Sequence, residues 1–81
     1  MPRYIFEIRT FINKKKYGIK TCFSQTDKSM WVQEQMRNPM IDKIRVTEMQ
    51  QNTGFTHSIT RYDRIDGKWK MRVKPIGEDD E

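Results

Sequence analysis

The sequence predicts an α+β domain: a single antiparallel twisted β-sheet, in the order β-β-α-β-β-β, with one helix packed on one face. Two segments of alternating apolar and polar residues precede a segment with helix-start residues, and three more strand-like segments follow it. The 81 residues suffice for one domain. Antiparallel strands of this kind leave one sheet face for the helix and the other for solvent.

The first two strands are predicted at residues 3–12 and 17–23, because side chains two residues apart on a strand share a face. In the first strand the apolar residues that share a face are Tyr4, Phe6, Ile8 and Ile12. In the second strand the corresponding residues are Tyr17, Ile19, Thr21 and Phe23. Asn13 and the three lysines after it interrupt both patterns, so we expect a turn there.

The helix is predicted over about residues 27–37. Ser24 and Thr26 can cap the first free amides, and Asp27 places a carboxylate in the first turn. Asn38-Pro39 ends the helix, because the residue before a proline avoids the helical conformation.

The last three strands are predicted at residues 41–50, 55–62 and 68–74. A turn at residues 51–54 joins the first two, and a loop from Asp63 to Gly67, longer than a two-residue turn, joins the last two. Pro75 ends the fifth strand. The residues expected in the core are Phe6, Ile8, Ile19, Phe23, Val32, Ile44, Val46, Phe55, Ile59, Trp69, Met71 and Val73.

The charges divide the chain into a basic domain at residues 1–76 and an acidic, flexible tail at residues 77–81. Lysine and arginine total 16 and aspartate and glutamate total 11. Four of the acids stand together at Glu78–Glu81, which leaves 16 cations against seven acids in residues 1–77. A basic domain attracts anionic partners, such as nucleic acid or an acidic protein surface.

The fifth strand carries the strongest candidate binding residues. Its apolar side chains alternate with four cations, Lys68, Lys70, Arg72 and Lys74. Other basic candidates are Lys14, Lys15 and Lys16 in the turn, and Arg61 and Arg64 before the fifth strand. Arg9 and Arg45 extend the same patch if the strand order permits. A polar, solvated sheet face is the plain alternative.

Met30 and Trp31 are the candidates for a protein interface, because the run Met30-Trp31-Val32 covers a wider arc than one helix face can bury. Core packing is the alternative for Trp31. Cys22 is the one thiol and His57 the one histidine, and neither belongs to a motif. We therefore predict no enzyme activity, no metal site and no cofactor.

Three functions remain open. The first is a non-enzymatic module that binds nucleic acid, or a nucleic-acid-handling complex, through the cationic sheet face. The second is an inhibitor of the accessory or phage-encoded type that blocks a host protein complex. The third, a small toxin-type ribonuclease, has no convincing set of residues. With one cysteine and no apolar segment long enough to span a membrane, a cytoplasmic location is expected, and homodimerisation is left open.

The acidic tail gives the first testable prediction. Four carboxylates close to the cationic fifth strand compete with an anionic partner when the Debye length exceeds their separation. Removing residues 78–81 is expected to tighten binding of an anionic partner at low ionic strength and to leave stability unchanged. Titrations of full-length and truncated protein at two salt concentrations measure this, and equal affinities at low salt would show that the tail masks nothing.

Overall fold

A computed structural model describes residues 4–51 and 55–75 and confirms the predicted fold class. The elements are β1 (Tyr4–Ile12), β2 (Lys15–Cys22), α1 (Gln25–Met36), β3 (Lys43–Gln50), β4 (Thr56–Ile65) and β5 (Lys68–Pro75). The five strands form one antiparallel sheet in the order β2-β1-β3-β4-β5, and α1 lies against one face of it. The acidic tail, the division at residues 76 and 77, and most of the turn predicted at 51–54 lie outside the described residues.

Two hairpins of the sheet close through two-residue turns with positive φ. These are Asn13 (φ 53°) and Lys14 (φ 66°) between β1 and β2, and Asp66 (φ 55°) and Gly67 (φ 77°) between β4 and β5. Turns of this conformation match the twist of the strands they join. The predicted longer loop before Gly67 is therefore wrong, because β4 continues as paired strand to Ile65.

Helix α1 begins at Gln25, two residues before the predicted start, and ends at Met36 ahead of Asn38-Pro39. Ser24 is the N-cap: its backbone is extended, and its hydroxyl accepts a hydrogen bond of 3.1 Å from the amide of Asp27. This bond satisfies one of the amide groups that a helix start leaves without a partner.

The core lies between α1 and the middle of the sheet. Its buried apolar residues are Phe6, Ile8, Cys22, Val32, Ile41, Ile44 and Val46. Five of these seven were predicted, whereas Cys22 and Ile41 were not. Thr10 is also buried, and its hydroxyl donates to the carbonyl of Gly18 at 3.4 Å.

The face predicted for β2 is wrong. Cys22 pairs with Phe6 and faces the core, which sends Thr21 and Ile19 to the opposite face. Ile19 is 52% exposed and Phe23 is 67% exposed. Because side chains alternate along a strand, an assignment off by one residue exchanges the buried and exposed sets.

The orientation predicted for β5 agrees with the register, but the predicted burial of Met71 and Val73 is wrong. Trp69 and Met71 pair with Arg64 and Tyr62, on the same face as the core residue Ile44. Trp69 is half-buried and packs against the core, whereas Met71 and Val73 are 60% and 56% exposed. Helix α1 packs on β1 and β2 and therefore does not cover this part of β5.

Two further core assignments fail in β4 and the segment before it. Phe55 is exposed, and it precedes β4 instead of lying in it. Ile59 is half-buried, and its pairing with Thr47 puts it on the face away from α1.

Arg64 on β4 and Trp69 on β5 connect these two strands to the C-terminal end of α1. A terminal nitrogen of Arg64 donates to the carbonyls of Met36 (3.1 Å) and Asn38 (3.0 Å), and the indole nitrogen of Trp69 donates to the carbonyl of Met36 (3.3 Å). The Arg64 guanidinium lies 4.7 Å from the centroid of the Trp69 ring. Arg64 thus supplies the cation that the C-terminal end of a helix favours, since the last turn of α1 has no basic residue.

Replacing Arg64 tests this connection. Arg64→Gln is expected to lower the free energy of unfolding by about 1 to 3 kcal/mol, because it leaves two backbone carbonyls without their charged donor. Urea denaturation measures the change. Arg37→Gln is the matched control, since Arg37 is exposed at the same helix end and makes none of these bonds. Equal losses in both variants would contradict a specific role for Arg64.

Candidate functional site

Four arginines stand side by side on the face of the sheet that α1 does not cover, the open face. Arg9 on β1 pairs with Arg45 on β3, Arg45 pairs with Arg61 on β4, and Arg61 pairs with Arg72 on β5. Directly paired residues share a face, and this face is opposite to that of Ile8 and Ile44. With strands about 4.8 Å apart, this arginine row extends over about 14 Å.

The predicted cations of β5 lie on the same face and meet the arginine row at Arg72. Lys70 pairs with Asp63 and Lys74 with Ile59, both on the open face. These four residues, Lys68, Lys70, Arg72 and Lys74, form the β5 strip, which runs along the strand while the arginine row runs across the strands. The sequence predicted the placement of the strip; its role in binding stays a prediction.

The open face is strongly positive. Among the described residues it carries nine cations and two carboxylates, Glu7 and Asp63. The cations are Arg9, Lys16, Lys43, Arg45, Arg61, Lys68, Lys70, Arg72 and Lys74. Such a surface attracts polyanions and steers their approach.

The charges of the arginine row are poorly compensated within the protein. Arg9 forms an ion pair with Glu7 at 3.0 Å. Within residues 4–51 and 55–75, Arg45, Arg61 and Arg72 form no ion pair with a carboxylate. In the same residues the Nε atoms of Arg45 and Arg61 are buried and have no hydrogen-bond acceptor. Like charges on paired positions and unsatisfied donors both cost stability.

Phe11 is the aromatic residue of β1 on the open face, next to the arginine row. It pairs with Lys16 on one side and Lys43 on the other. The Lys43 ammonium lies 5.7 Å and the Arg45 guanidinium 5.8 Å from the centroid of its ring. The ring thus lies within a group of cations, and it is half-buried.

The remaining predicted basic residues are not gathered in one place. Lys16 lies on the open face, Lys14 lies in the turn, and Lys15 pairs with Ile12 on the face of α1. Arg64 also lies on the face of α1, where it binds the helix end. The structure therefore does not bring Lys15 and Arg64 together with the arginine row.

The predicted interface residues Met30 and Trp31 line a groove between α1 and the end of β2. The groove has a volume of about 700 Å³, and Cys22, Phe23 and Arg37 also border it. Met30 is 65% exposed, whereas Trp31 is half-buried and packs against the core. Phe23 and Met30 thus expose apolar side chains to solvent within this groove.

The described residues contain little that resembles a reactive centre. Burial raises the pKa of the Cys22 thiol, with a smaller raising effect from Asp27 and a lowering effect from Lys20, so the nucleophilic thiolate is disfavoured. His57 lies against Tyr4, with ring centroids 5.5 Å apart. Nowhere in residues 4–51 and 55–75 do three His, Cys, Asp or Glu side chains cluster as metal ligands would.

No helix in the described part of the chain has the length and hydropathy needed to cross a membrane.

Comparison of the chain with protein-family models, with curated proteins and with solved structures finds no match. The case for a function therefore depends on the geometry of the open face and the groove.

Sequence reasoning named Arg61 and Arg72 as site residues but left Arg9 and Arg45 conditional. The missing information was the strand order, since Arg9 and Arg45 are 36 positions apart in the chain and meet because β1 pairs with β3. The position of Phe11 on the open face likewise follows from the register, in which Phe11 pairs with Lys43.

The uncompensated charge of the arginine row predicts a stabilising substitution. Arg61→Gln is expected to raise the free energy of unfolding by about 0.5 kcal/mol at low ionic strength, because it removes two like-charge pairs. At about 1 M salt, where the Debye length is about 3 Å, the gain should disappear. Urea denaturation at both salt concentrations measures it.

Lys20→Gln provides the control for charge removal, because Lys20 is exposed on the face of α1. An Arg61→Gln protein that is less stable than wild type at every salt concentration would contradict repulsion within the row.

Proposed function

We propose that this protein is a non-enzymatic module that binds nucleic acid through the open face of its sheet. The observation that carries the proposal is the arginine row, Arg9, Arg45, Arg61 and Arg72, which lies across four adjacent strands with one carboxylate partner among the described residues.

The chemistry of arginine supports phosphate as the ligand of the row. The guanidinium group stays charged and offers a planar set of donors that matches the oxygens of a phosphate. A row of phosphates places negative charge beside the four arginines and supplies acceptors to Arg45, Arg61 and Arg72, which have no carboxylate partner among the described residues. The cost of the row in the free protein is thereby offset on binding.

The same chemistry predicts binding with little dependence on base sequence. Contacts to phosphate position a protein on nucleic acid, whereas sequence is read at base edges. The open face is rich in cations and, in its described part, has no asparagine or glutamine, the residues that commonly read adenine.

Affinity measurements with paired substitutions test the proposal. The double variant Arg45→Gln/Arg61→Gln is expected to bind a fluorescent oligonucleotide more weakly than wild type. The dependence of log K on log salt should also become shallower, by about 0.7 for each phosphate of a single strand that the variant no longer neutralises. Fluorescence anisotropy over a series of salt concentrations gives both quantities.

The control removes the same charge from the other face. Lys20→Gln/Arg37→Gln lowers the net charge equally, at residues that border the groove beside α1. We expect its affinity to stay near that of wild type. Equal weakening by both double variants would mean that net charge alone drives binding, and no binding by wild type at low salt would refute the proposal.

The groove between α1 and β2 favours a second function, binding to a host protein complex. Phe23 and Met30 line it and are largely exposed, and methionine is common in adaptable protein interfaces. A partner that wild type retains after nuclease treatment, and that Met30→Lys loses while Arg45→Gln/Arg61→Gln keeps, would support this function over nucleic-acid binding.

A further inference from the structure

We infer that the nucleic acid is single-stranded and that one of its bases stacks on Phe11. The inference depends on the proposed function and names the substrate class of the same site. It follows from the width of the open face, from the position of the aromatic ring on it, and from the cations around that ring.

The sheet is too wide to lie face-on in the major groove of undeformed B-DNA. The axes of its outer strands, β2 and β5, are about 19 Å apart, since neighbouring strands are separated by about 4.8 Å. The major groove is about 12 Å wide and admits a helix or a two-stranded ribbon. An undeformed duplex would therefore meet the open face through its outer phosphates, and Phe11 would face no base.

A single strand makes use of both kinds of residue on the face. Its phosphates are free to follow the arginine row while its unpaired bases turn toward the protein. Proteins that bind single strands combine a cationic surface with aromatic rings on which bases stack. Phe11 lies on β1, the strand beside the edge strand β2. It is two residues after Arg9, so the two side chains are neighbours on the open face.

The contacts of Phe11 in the free protein fit this use. Lys43 and Arg45 lie at 5.7 and 5.8 Å from the ring centroid, where the aromatic face attracts cations. When these two side chains turn toward phosphates, the ring becomes available to a base. Lys16, which pairs with Phe11 from β2, is a further cation on the neighbouring strand.

Three probes separate stacking from phosphate binding: a single-stranded DNA oligonucleotide, the duplex of the same sequence, and inorganic polyphosphate, which has no bases. Wild type is expected to bind the single strand more tightly than the duplex at equal salt. Phe11→Leu should weaken binding of the single strand by about 5- to 150-fold and leave polyphosphate binding unchanged. Competition against one labelled oligonucleotide gives all three affinities.

Two substitutions serve as controls. Phe11→Tyr keeps an aromatic ring and is expected to retain the affinity of wild type. Phe23→Leu makes the same change as Phe11→Leu at an exposed phenylalanine beside α1, away from the open face, and should alter none of the affinities. If Phe11→Leu does not fold, an abasic single strand tested on wild type gives the same comparison, and it should bind more weakly than the normal strand.

The outcomes distinguish failure of the inference from failure of the proposed function. Equal weakening of single-strand and polyphosphate binding by Phe11→Leu would mean that the ring only positions Lys43 and Arg45, which overturns the inference. Equal wild-type affinity for duplex and single strand, or for abasic and normal strands, would also overturn it. In each case nucleic-acid binding by the arginine row would stand, whereas failure of wild type to bind any of the probes would refute both.

Discussion

The position of helix α1 depends on hydrogen bonds from Arg64 and Trp69, which lie on the two strands that the helix does not cover. Val32 is the buried residue of helix α1, and Trp31 and Met36 pack against the core only partly buried, so the helix's own apolar surface is a weak anchor. Arg64 and Trp69 reach the last carbonyls of α1 from β4 and β5 and hold that end against the sheet. Because α1 is held on this face, it leaves the opposite face of the described strands uncovered, where Arg45, Arg61 and Arg72 have no carboxylate partner within residues 4–51 and 55–75.

The open face shows a conflict between stability and binding. Paired arginines repel each other and the buried Nε atoms of Arg45 and Arg61 lack acceptors, which costs a small domain part of a small free energy of unfolding. Cations also line the two outer strands, at Lys15, Lys16 and Lys20 on β2 and along the β5 strip. Charged edges disfavour pairing with further strands, so the positive charge limits aggregation while it attracts polyanions.

The sequence predicted those features that depend on neighbouring residues and missed those that depend on strand order or on the position of α1. The strict alternation of β5 predicted its two faces correctly, whereas the burial of Met71 and Val73 depended on where α1 lies, which no local pattern contains. In β2 the pattern was ambiguous: Ile19 and Phe23 are more apolar than Cys22, yet Cys22 is buried because it pairs with Phe6. The arginine row required the strand order, since its members come from four different strands.

The connection through α1 explains both the covered face and the arginine row. After the β1–β2 hairpin the chain passes through α1 and returns as β3 on the far side of β1, so that β1 lies between β2 and β3. Had β3 paired with β2 instead, as the next strand in sequence, Arg9 and Arg45 would be separated by β2, whose residue at that level is Ile19. The crossover therefore covers β1 and β2 on one face and, on the other, places Arg9 directly beside Arg45. The helix and the candidate binding surface have one topological cause, and a disturbance of the α1 end at Arg64 is expected to affect both.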